Sequence, residues 1–148
     1  MTPRTRLASP WLLVALLAAL WAAPSCQWAG DTKAVRVSFA ALRTQLDDVS
    51  SRLNSAIENG DSEHIPALDK ELNAVLDASM NQASAMNILD REHLSINVAT
   101  ARNCITDMDR YATSGDMDLL RAQAKQLAPT VTEILELLDR AERTTKAS

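Results

Sequence analysis

The residues that could carry chemistry are few and poorly placed to act together. The chain has two histidines, His64 and His93, and two cysteines, Cys26 and Cys104. Asp90 and His93 have the i, i+3 spacing of half a di-iron site, but the full site needs a second such pair and two further inward carboxylates. Only one pair is present. Met80, Met86, Met108 and Met117 are soft ligands that suit copper, yet they are scattered, and methionine is ordinary core filler. There is no His-Glu-x-x-His, no glycine-rich phosphate loop and no nucleophile elbow. Nothing pairs a nucleophile with a base, so the expectation is a non-enzymatic protein with no catalytic, cofactor-binding or metal-binding set.

Cys26 is the exception, because of what precedes it. Arg4 and Arg6 form a positive start, and the run from Trp11 to Ala23 is apolar, uncharged and only about 13 residues long. A membrane-spanning helix needs roughly 20 apolar residues, so residues 1–25 read as a cleaved signal peptide. Ala23 and Ser25 put small side chains at the third and first positions before a cut at Cys26. The segment Ala23-Pro24-Ser25-Cys26 resembles the processing box of bacterial lipoproteins. That resemblance implies a lipid on Cys26 and a membrane partner through it. Gln27 stands where an Asp would retain such a protein at the inner membrane, which implies an outer-membrane lipoprotein facing the periplasm. Without lipidation the same signal implies a secreted protein.

Removing Arg4 and Arg6 leaves 13 basic residues against 19 acidic ones, a net charge of −6. No basic cluster occurs, and phosphate binding rests on clustered Lys and Arg, so nucleic acid is excluded as a partner.

The elements that must position everything else are helices. After a tether over 26–31, residues 32–146 carry four stretches of helical periodicity. Helix 1 is expected from Thr32 to Asn59, with Leu42, Leu46, Val49, Leu53 and Ile57 on one stripe. Asn59-Gly60 ends it, and Asp61 or Ser62 is expected to cap helix 2, which turns Ile65, Leu68, Leu72, Val75 and Leu76 inward and tolerates Pro66 in its first turn. A break is placed near Asn87–Asp90 on length alone, with Asp90 as its cap. Helix 3 places Leu94, Val98, Ala101, Ile105 and Met108 inward and ends at Thr113-Ser114-Gly115. Helix 4 starts at Asp116 and carries Leu120, Ala124, Leu127, Val131, Ile134, Leu138 and Ala141 as a heptad seam. Pro129 should kink or restart it near Ala128.

A shift of 55 residues overlays Gly60-Asp61 on Gly115-Asp116, and Leu53, Ile65, Leu72 and Leu76 on Met108, Leu120, Leu127 and Val131. The expectation is all-α: two similar helical hairpins packed as an up-down-up-down four-helix bundle, each helix about 25 residues or roughly 38 Å long. In length and topology this resembles the soluble haem-binding bundles. The ligands those proteins use are missing: there is no Cys-x-x-Cys-His, and His64 and His93 sit at opposite ends. Cys104 overlays Val49, so it reads as core; a reactive thiol, or a Cys26–Cys104 disulfide if Cys26 is not lipidated, are the alternatives.

Such a bundle has two unlike ends. The turn between helices 2 and 3, Ala78 to Leu89, has no charge and should lie near the anchored end with Trp28, which suits a membrane interface. The far end gathers Glu58, Asp61 and Glu63 from one turn and Asp107, Asp109, Asp116 and Asp118 from the other. Those seven carboxylates form the candidate partner-binding surface. A calcium loop is disfavoured, since Asp107-Met108-Asp109 lacks the loop glycine and closing Glu. The expected function is a lipoprotein that docks or scaffolds an envelope protein, a class that includes the pilotin-like helical lipoproteins. The alternative is a periplasmic helical-bundle binder of a small ligand, metal or haem.

Overall fold

A computed structural model describes residues 37–147; the expected signal peptide, Cys26 and the expected tether lie outside the described residues. Four α-helices and one short 3₁₀ turn account for almost all of them, and there is no strand among them. They are α1 (Phe39–Glu58), α2 (Ile65–Gln82), the turn Ala83–Ala85, α3 (Ile88–Ser114) and α4 (Met117–Ala147). The all-helical expectation holds. The equal lengths do not: the helices have 20, 18, 27 and 31 residues, so α4 is about 47 Å long at 1.5 Å per residue.

Local chemistry sets most of the boundaries. α1 begins at Phe39 rather than Thr32, because extended Ser38 caps it: its hydroxyl accepts the Ala41 N–H at 3.2 Å. α1 and α3 end in the same way. Gly60 and Gly115 take left-handed φ of +72° and +73°, which glycine adopts without a Cβ penalty. The N–H groups of Asp61 and Asp116 then reach back to the carbonyls of Ala56 and Tyr111 at 2.9 and 3.0 Å, the six-to-one bond of a Schellman end. This repeat of turn chemistry lies at the two positions that the 55-residue shift superposes.

Three boundaries differ from the sequence expectation. α2 starts at Ile65, and its N-cap His64 makes no side-chain cap bond; the His64 ring is held by Asp61 instead. The break before α3 is capped by Asn87, whose Oδ1 accepts the Asp90 N–H at 2.9 Å while its Nδ2 donates to Asp90 Oδ2 at 2.6 Å. Asp90 is therefore the first-turn partner of the cap, where the helix dipole favours a carboxylate. α4 runs without restart through Pro129. Pro129 and Lys125, four residues earlier, lie on the exposed face, so the unused Lys125 carbonyl falls on the solvent side. Burial of Leu127, Thr130, Val131 and Ile134 outweighs the roughly 3 kcal/mol that an interior proline costs.

The inward positions expected from periodicity are all buried, and they form one continuous core. α1 packs against α2 and α4, α2 against α3, and α3 against α4, with α2–α3 the least extensive of these seams. Phe39, Ala83, Met86, Ala112 and Leu137 add to this core, and Cys104 lies within it.

Candidate functional site

The acidic residues are placed by the two Schellman turns and the helix ends that flank them. Glu58, Asp61 and Glu63 are exposed around the α1–α2 turn, and Asp109, Asp116 and Asp118 are exposed around the α3–α4 turn, with Asp107 half-buried. Their roles separate on inspection. Asp116 caps α4, its Oδ1 accepting the Leu119 N–H at 3.1 Å. Asp118 meets Arg121 at 3.4 Å, and Asp107 meets Arg110 at 2.9 Å. Arg110 also donates to the Tyr111 hydroxyl at 3.2 Å and lies 5.1 Å from the centre of that ring, so its charge is held on the second turn.

Asp61 accepts from, or pairs with, His64 Nδ1 at 2.8 Å. This contact raises the His64 pKa and lowers that of Asp61. Both side chains are well exposed, and an exposed pair of this kind contributes little to stability. Glu58, Glu63 and Asp109 enter no ion pair among the described residues.

One carboxylate is buried on α2 at its seam with α3, and it is a residue that sequence reasoning missed. Asp69 on α2 is only 4% exposed, and neither of its oxygens has a hydrogen-bond partner among the described residues. Burial without a partner disfavours the charged form, and the field of Asp109 across the α2–α3 seam adds to it; together they push the Asp69 pKa up to about 7. The signal was in the sequence. Asp69 stands four residues after Ile65 and three before Leu72, on the inward stripe of α2, and the 55-residue shift lays it on Ala124 of the α4 seam.

Elsewhere the described residues gather no group of three His, Cys, Asp or Glu side chains that could hold a metal ion. His64 and His93 are both exposed, and Asp90 is engaged by Asn87 and by Arg140 at 3.1 Å. No described helix is long and apolar enough to cross a membrane. No family model, curated protein or solved structure matches this chain.

Proposed function

We propose that this protein is an exported, lipid-anchored module of the cell envelope that works by docking a basic partner protein and not by catalysis. In this reading residues 1–25 are removed, Cys26 carries the lipid, and the four helices run up-down-up-down, so that both Schellman turns face away from the membrane.

The cross-helix ion pairs support that topology. Arg43 of α1 meets Asp139 of α4, Arg52 of α1 meets Glu71 of α2, Arg102 of α3 meets Asp77 of α2, and Arg140 of α4 meets Asp90 of α3. In each case residues early in one helix meet residues late in its neighbour, or middle meets middle.

The observation that carries the docking reading is the set of seven carboxylates that flank the two Schellman turns, six of them exposed. Glu58, Glu63 and Asp109 lack ion pairs among the described residues, and Glu58, the last residue of α1, sits where the helix dipole disfavours negative charge. Glu58 against that dipole and Asp109 beside the buried Asp69 lower stability, so their placement points to a demand from outside the fold. Such a surface steers and selects a basic partner.

The test is capture from solubilised envelopes by the native protein and by the Asp107→Lys, Asp109→Lys double variant. The expected result is loss of a captured protein that native bait retains, a loss that shrinks as salt screens the interaction, with unchanged helicity. A lysine at position 109, beside Asp69, should not harm folding, because it replaces repulsion with attraction. Equal recovery of every captured protein by both baits would remove the docking surface.

A further inference from the structure

The end of the molecule away from the acidic turns has a surface of its own. The start of α1, the 3₁₀ turn and the end of α4 meet there around a recess of about 470 Å³ lined mainly by apolar atoms, including those of Val37, Phe39, Ala40, Ala85 and Thr145. Two residues after buried Met86, α3 opens with Ile88 and Leu89, which are 65% and 68% exposed. Ile96, 63% exposed, is seven residues after Leu89 and so on the same face of α3. Single exposed aliphatics are ordinary, but here three of the four large exposed hydrophobics among the described residues fall in the first three turns of one helix.

Most cations near this end are paired: Arg140 with Asp90, Arg143 with Asp139 and Lys146 with Glu142. Ala78–Leu89 carries no charge, and the exposed Arg91 and Glu92 that follow enter no ion pair among the described residues. The chain enters the bundle at Val37, beside the recess. Eleven residues lead from Cys26 to Val37, a reach of at most about 40 Å when fully extended.

We propose that this end seats on the neutral lipid–water interface, with Ile88 and Leu89 inserted among the headgroups. The inference rests on the Cys26 anchor: the anchor brings the surface to the bilayer, and the aliphatic pair fixes which way the bundle faces. Paired charges favour a zwitterionic interface, because the described residues at this end offer no cluster of free cations to select anionic lipid. The acidic turns then project into the aqueous space, where a partner can reach them.

The test uses the lipidated, processed protein with Leu89→Trp in a Trp28→Phe background, so that the introduced indole is the sole tryptophan after residue 25. A Thr113→Trp version in the same background, at an exposed position beside the second acidic turn, is the control. Each is bound to phosphatidylcholine vesicles whose acyl chains carry bromine. The expected result is co-flotation of both. The indole at position 89 should shift its emission to shorter wavelength and lose most of its intensity, while the indole at position 113 stays unquenched. Addition of anionic lipid should leave the quenching unchanged. Co-flotation with the position-89 indole as unquenched as the control overturns the seating while leaving the anchor intact. Failure to float overturns the anchor and the seating with it. A blue shift of the unlipidated Cys26→Ala, Leu89→Trp protein without vesicles that grows with protein concentration assigns the patch to a second copy of the chain and overturns the lipid assignment.

Discussion

Replacing the buried Asp69 with Asn should stabilise the protein, and the gain should depend on pH in a defined way. Asp69 has a folded-state pKa of about 7 against an ordinary value of 3.8. Between those values the folded chain holds a proton that the unfolded chain has released, so native stability falls as pH rises from about 4 to 7 and is level above that. Three pH units at 1.36 kcal/mol each amount to about 4 kcal/mol, a large share of the 5–15 kcal/mol typical of a domain. The substituted amide has nothing to titrate. In urea unfolding followed by circular dichroism, Asp69→Asn should match the native protein at pH 4 and exceed it by up to about 4 kcal/mol at pH 8. Asp109→Asn should recover a smaller part, because it removes the lesser cause of the shift and leaves the burial. The His64–Asp61 contact contributes equally to native and variant proteins, so the difference isolates Asp69. A native-minus-variant difference that is flat from pH 4 to 8 would refute the reasoning and mean that Asp69 finds solvent or a partner.

The remaining expectations concern packing and the acidic surface. Leu127→Ala should cost about 2–5 kcal/mol and Val131→Ala somewhat less, since both are buried on the α4 seam; an unchanged denaturation midpoint for Leu127→Ala would show that the seam is not the core. Cys104, 7% exposed among Ala101, Ile105 and Met108, should resist thiol reagents in the native protein and react once it is unfolded. Rapid labelling without denaturant would make it a reactive thiol instead. The charge-reversed Asp107→Lys, Asp109→Lys protein should keep its helicity, and its unfolding midpoint should be no lower than that of the native protein at pH 8.

The core was readable because it is written in period. Leu42, Leu46, Val49, Leu53 and Ile57 follow four-three-four-four spacing, and a stripe of that kind has nowhere to go but inward. Gly60 and Gly115 marked two turns for the same reason: only a residue without a Cβ takes the left-handed conformation freely. The third turn was blurred because Ala83–Ala85 has no such residue; its break is made by a 3₁₀ turn and the reciprocal Asn87–Asp90 cap, which periodicity does not register. Pro129 does not restart the helix, because the cost of a missing hydrogen bond is local, while the gain from Leu127 to Ile134 is tertiary. For the acidic surface, the seven carboxylates could be located from the turns alone, but Arg110, Arg121 and His64 as their partners depend on side-chain geometry. Asp69 stands on an inward stripe, but a carboxylate there does not register in a hydrophobic period.

Whether Cys26 holds the bundle to a membrane is decided by the mass of the mature protein isolated from its own membranes. The expected chain begins at Cys26 and carries added acyl groups on that residue, and Cys26→Ala should lose both the added mass and the membrane association. A mature chain that begins elsewhere, or that begins at Cys26 with an unmodified thiol, would contradict the anchor.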